Sequence, residues 1–298
     1  MFTSHDILWS IVVPLVVSAV IAIAGWQPWR ALGAQRGLWV APVAMGVAFI
    51  VAFPGANSGA WHWPLSSPRE SSDWLAWIAL VAMIAGVMSA MLQTPRWMLA
   101  IMVFLFSVLT CGMLLKFKFT SHTWSYTGGE LMLDLFALSA VTWWITLEQA
   151  TEEWPMLGAL LVGISSACVA LVLMLTGSQS YGNLTLIVGF ATAGFLPSLL
   201  WRRTIRLSGL AAFFSVILLP LLLGGYYLSK LPLQLLLILF ATPLFIALGI
   251  LLPLRMKFWQ RVVLRVILAC IPLLTAVIIA AIQFKQAGGQ SDDSMYYQ

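Results

Sequence analysis

Trp201–Lys230 reads WRRTIRLSGLAAFFSVILLPLLLGGYYLSK. Arg202, Arg203 and Arg206 crowd one end, Lys230 marks the other, and Leu210–Leu228 between them carries no charged side chain. Crossing the hydrocarbon core of a bilayer takes about 20 apolar residues in helical form. Lipid offers no partner to an unpaired backbone N–H or C=O, so only helices and closed barrels can span it. Barrel strands alternate apolar with polar residues over short segments. Leu210–Leu228 is apolar almost throughout, so it reads as a buried or spanning helix.

The same pattern recurs along the chain. Runs of this kind are Ile7–Gly25, Leu38–Gly55, Trp74–Leu92, Met98–Leu115 and Leu131–Ala150, then Pro155–Gly177, Leu184–Trp201, Leu210–Leu228, Leu233–Leu254 and Val262–Phe284. Only 8% of the 298 residues are charged while 61% are apolar, and the mean hydropathy is +0.98. A water-soluble domain of this length needs more charged surface than that. The sequence therefore predicts an all-α, polytopic integral membrane helix bundle of about ten transmembrane helices. Residues 1–284 form one transmembrane domain, and the polar stretch 285–298 (KQAGGQSDDSMYYQ) is expected to be a disordered tail. No Lys or Arg precedes Arg30, so the first run lacks the basic region of a cleavable signal peptide.

Basic residues set the expected orientation. Arg30, Arg36, Arg96, Arg202, Arg203, Arg206, Arg255, Lys257, Arg261 and Arg265 fall on one side. Arg69, Lys116, Lys118, Lys230 and Lys285 fall on the other. The richer side is expected in the cytoplasm, which puts both termini outside the cell (inner) membrane. Indole prefers the headgroup level, and Trp26, Trp29, Trp39, Trp97, Trp154, Trp201 and Trp259 mark the basic rim. Trp143 and Trp144 lie inside the fifth run, where one of them is expected to pack between helices. A pI near 9.3 follows from these flanking charges and implies no nucleic acid.

Helices in lipid associate by close packing, which small residues at four-residue spacing permit. Ala44, Ala48 and Ala52, Ala82, Gly86 and Ala90, and Ala159, Gly163 and Ala167 are the expected seams. Pro14, Pro42, Pro197, Pro220, Pro243 and Pro272 fall inside runs, where proline is commoner than in soluble helices.

Few residues are left to carry chemistry. Asp134 lies one turn inside the fifth run and four residues after Glu130, so the two carboxylates share a helix face. A carboxylate in the bilayer is costly unless it faces the bundle or water, which makes this pair the candidate ion, proton or substrate site. Lys116, Lys118 and Lys230 are its possible partners on the same side. At the other end of that run stand Glu148, Glu152 and Glu153, an acidic cluster on the basic side. Arg265, inside the last run, needs a carboxylate, and Glu148 is the expected partner in a structural ion pair.

Other chemistries find little support. His5, His62 and His122 lie outside the runs, whereas a bis-histidine haem draws ligands from within helices. Met83, Met88, Met91, Met98, Met102 and Met113 with Cys111 could be soft copper ligands, but methionine is equally a packing residue. Cys111, Cys168 and Cys270 share no metal or disulfide spacing. No Walker motif or His-Glu-x-x-His helix is present, and no cofactor is implied. An enzyme is disfavoured because no acid, base or metal set can be identified. In length and span count the chain resembles the drug/metabolite transporter superfamily, which implies a small transporter or permease. The alternative is a non-catalytic membrane subunit or scaffold that meets other membrane proteins.

Overall fold

The computed structural model of the protein describes residues 4–27, 37–57, 68, 71–92, 94–120, 126–201, 205–251 and 257–293. The side chains of 117–120, 126–136, 250–251 and 287–293 lie outside that description. Among the described residues there are helices and no strand. They are α1 (Ser4–Trp26), α2 (Val40–Ala56), α3 (Trp74–Met91), α4 (Arg96–Thr120) and α5 (Tyr126–Glu153). There follow α6 (Pro155–Leu175), α7 (Gln179–Trp201), α8 (Leu210–Tyr227), α9 (Leu233–Leu251) and α10 (Phe258–Asp293). Seven helices among the described residues are long and apolar enough to cross a membrane, and Val40–Ala56 and Leu233–Gly249 are shorter apolar helices. The chain is an all-α polytopic membrane bundle. α5 runs three residues past the expected apolar limit, to Glu153, and α10 stays helical to Asp293.

The run that decides the fold also sits at its centre. α8 is 89% buried and packs against α2, α3, α4, α5, α6, α7 and α9. A helix apolar on every side has no face to give to water, so the middle of the bundle is its natural place. Trp143 of α5 meets Phe214 of α8 edge to face, with ring centroids 5.5 Å apart. Both Trp143 and Trp144 are buried, so each of the paired indoles is an inter-helix residue.

α10 lies at the periphery. Val263, Ile267, Ile271, Leu274, Ile278 and Ile282 form an exposed stripe, while Ala269, Leu273, Ala276 and Ala280 are buried on the opposite face. The stripe recurs every three or four residues and is as apolar as the buried face, as expected for a helix whose outer solvent is lipid.

Two of the three small-residue seams hold helices together. Ala44, Ala48 and Ala52 of α2 are fully buried. On α3, a Cβ at Gly86 would lie 2.5 Å from Pro42 Cβ, so only glycine admits this approach of α2. The third seam does not form: Ala167 is exposed, and a Cβ at Gly163 would meet nothing within 4 Å. α6 turns Leu161, Val162, Ser165, Ser166 and Val169 inward instead. Some hydroxyls within the bundle bond back along their own helix, as Thr185 Oγ1 does to the Tyr181 carbonyl at 2.8 Å and Ser215 Oγ to that of Ala211 at 2.7 Å, while others, Ser107, Ser165 and Ser166 among them, are buried without a partner.

Trp26 departs from its expected place on the rim. It is 5% exposed, and its Nε1 donates to the Gly37 carbonyl at 2.9 Å. The indole thus fastens Gly37, three residues before α2, to the end of α1, while Trp39, Trp97, Trp201 and Trp259 are exposed at helix ends.

Candidate functional site

The last turns of α5 supply the carboxylates. Glu148 and Glu152 are four residues apart and share a face, whereas Glu153 is turned away from Glu152 by about 100°. Negative charge is unfavourable at a helix C-terminus, so these groups need cations from neighbouring elements. Arg96, the first residue of α4, donates from Nη2 to Glu152 Oε2 at 2.7 Å, with both side chains largely exposed. Glu153 receives Arg265 through Oε2 and faces Arg261 across 3.6 Å through Oε1. The Arg265 side chain is 8% exposed against 45% for Arg261.

Arg265 is therefore paired, with Glu153 in place of the expected Glu148. The reason is helical phase. The extension of α5 to Glu153 presents a carboxylate to Arg265 of α10, while Glu148 is turned with Glu152 toward α4.

Glu148 is left with different company. It lines two adjoining cavities, and its Oε2 is buried with no hydrogen-bond partner. The larger cavity, about 780 Å³, opens where α3 and α5 end and α2, α4, α6 and α8 begin. Ser89, Thr94, Thr151, Arg206 and Ser208 give it polar walls beside Glu148, and Leu38, Leu92, Leu99 and Leu207 give it apolar ones. Ser89 Oγ and Thr94 Oγ1 are buried without partners as well. Buried polar atoms normally find a partner, and these three are among eighteen described side-chain atoms that do not.

The loop before α8 fixes one wall. Ile205 and Leu207 are buried, so Arg206 between them is turned outward and exposed. Gly209 ends this loop with φ +77°, and a Cβ there would fall on the Gly86 carbonyl. Only glycine combines that backbone angle with so close an approach of α3.

The smaller cavity, about 250 Å³, is a cleft between α4 and α5 walled by Trp97, Leu99, Ala100, Trp144 and Ile145. It shares Arg96, Leu99, Glu148 and Glu152 with the larger one. Trp144 is 3% exposed and its Nε1 has no acceptor.

The expected site elsewhere on α5 falls outside the described side chains. The backbones of Glu130 and Asp134 are helical. Asp134 lies 14 residues before Glu148, about 21 Å along the helix, so the vestibule occupies the other end of α5. The oddity of an acidic cluster on the basic side was visible in the sequence. What hid the vestibule was that its polar wall is assembled from single residues of several helices.

On the opposite face, Asn183 Nδ2 donates to Asp6 Oδ1 at 3.2 Å, tying α7 to α1, and the Lys116 ammonium lies 5.6 Å from the Trp74 ring centroid. Asn183 is buried. Among the described residues no three His, Cys, Asp or Glu side chains gather as a metal site. Met88, Met91 and Met98 are exposed on the outside of the bundle. No protein family, curated protein or solved structure matches the chain, so its chemistry rests on these contacts alone.

Proposed function

We propose that the protein is a small transporter-like permease of the inner membrane. It spans the bilayer about ten times, with both termini outside, and receives its ligand in the vestibule from the cytoplasmic side. The observation that carries this reading is the cavity of about 780 Å³ with Glu148, whose Oε2 has no hydrogen-bond partner, in its wall. A carboxylate held at the end of a membrane helix is costly, and a site that binds cations or polar ligands gives it a use. Asp134 and Glu130 are the second acidic pair of the pathway, toward the outer face.

The test is electrical. Proteoliposomes on a solid-supported membrane are challenged with a panel of amines, amino acids and other zwitterions. A transient current carried by the wild type and lost in Glu148→Gln, at equal folded protein, supports the permease. Absence of both a wild-type current and uptake of the radiolabelled panel compounds removes it.

A second reading, a non-catalytic subunit or scaffold, draws on the closed packing around α8. It predicts co-purification with a fixed membrane partner in constant ratio, and no current.

A further inference from the structure

The two cavities share Arg96, Leu99, Glu148 and Glu152. The vestibule adds Ser89, Thr94, Thr151, Arg206 and Ser208 to its apolar walls, whereas the cleft between α4 and α5 adds Trp97, Ala100, Trp144 and Ile145. Trp97 is 60% exposed and Ile145 40% exposed on the outside of a membrane bundle, so the cleft borders the lipid. Its inner edge is Glu148, where the vestibule begins.

We propose that this composite site holds a membrane-resident amphiphile with a zwitterionic, primary-amine headgroup. Its tail lies in the α4–α5 cleft and its headgroup in the vestibule. The assignment deepens the permease reading by naming its substrate class.

Charge accounting selects the headgroup. Arg96 and Glu152 neutralise each other at 2.7 Å. That leaves one carboxylate, Glu148, whose Oε2 has no hydrogen-bond partner, and one guanidinium, Arg206, which pairs with no carboxylate among the described residues. A primary ammonium supplies the donors that Glu148 lacks, and a phosphate or carboxylate supplies the anion for Arg206. A wholly water-soluble ligand would leave the apolar cleft unused.

The experiment uses the full chain, purified in mild detergent and examined by native mass spectrometry with added lipid. Phosphatidylethanolamine, phosphatidylcholine and phosphatidylglycerol of identical acyl chains are compared. Phosphatidylethanolamine is expected to be retained at least about tenfold more than phosphatidylglycerol, the scale of one charge-assisted hydrogen bond. Phosphatidylcholine, zwitterionic like phosphatidylethanolamine but with a quaternary ammonium that has no N–H donor, falls between them. Glu148→Gln abolishes the preference. Ala100→Trp, which fills the cleft, lowers retention of every lipid and leaves the order unchanged. Lys257→Gln, an exposed control, changes neither.

Equal retention of the three lipids by the wild type overturns the proposal. So does displacement of the lipid by equimolar phosphoethanolamine, which would show that the tail is not recognised. Should Glu148→Gln fail to fold by gel filtration, the headgroup series and Ala100→Trp decide alone. Currents with soluble zwitterions but no lipid preference would remove the amphiphile and leave the permease. Lipid preference without transport would do the reverse.

Discussion

Glu153 is the hub that fastens α10 to α5, and removing its carboxylate is expected to be the most damaging single change among the charged residues of that end. Arg265 is 7% exposed overall and would be left in the bundle without a counter-charge. Breaking a fully buried pair costs about 3–5 kcal/mol. Hydrogen bonds between membrane helices contribute less, about 0.6 kcal/mol on average and up to about 1.7. Glu153 itself is 22% exposed at the end of α5, so the stranded arginine can extend part-way toward water. Between these limits, Glu153→Ala should cost about 2–3 kcal/mol. Arg265→Ala should cost about 1–2 kcal/mol, because Glu153 keeps Arg261 nearby. Arg261→Ala, with its side chain 45% exposed, should stay under about 1 kcal/mol. The double change Glu153→Ala with Arg265→Leu should cost less than the sum of its parts, since no buried charge is left behind. Thermal survival in detergent, read by fluorescence-detected gel filtration, ranks the set. If Arg261→Ala proves as harmful as Arg265→Ala, or the double change is strictly additive, the clamp has been assigned to the wrong residues.

Three further outcomes follow from the same geometry. Gly209→Ala combines a left-handed backbone with a Cβ placed on the Gly86 carbonyl, so it should lose at least about 3 kcal/mol and most folded protein in the membrane fraction. Trp26→Phe keeps the ring but removes the donor to the Gly37 carbonyl. It should cost about 1 kcal/mol, seen as a modest fall in thermal survival, while Trp39→Phe at an exposed position should not. A reporter at the C-terminus should give alkaline phosphatase activity and no cytoplasmic fluorescence.

The helical architecture was legible because the bilayer enforces it. Leu210–Leu228 could satisfy its backbone in lipid only as a helix, and the same constraint located the other runs to within about five residues, apart from the end of α10, which continues past Phe284 to Asp293. Rank within the bundle was not legible. All ten runs are apolar, and only the packing shows that α8 is enclosed while α10 offers a stripe of isoleucine and leucine to lipid. The acidic residues of α5 were visible as an anomaly, yet their partners were not. Moving from Glu148 to Glu153 turns a side chain to another side of the helix, and hydropathy does not register where the helix stops. Trp26 misled for a related reason, since an indole beside a helix end can bond a neighbouring loop as readily as a headgroup.

The most direct test of the account is whether water reaches the vestibule, and from which side. With Cys111, Cys168 and Cys270 replaced by alanine, a single Ser208→Cys places a thiol in the vestibule wall, and Leu105→Cys places one on the exposed apolar face of α4. A membrane-impermeant maleimide is applied to inverted and to right-side-out vesicles. Position 208 should label rapidly in inverted vesicles only, and position 105 in neither. Labelling of position 208 from outside, or no labelling from either side, would contradict a wet cytoplasmic vestibule.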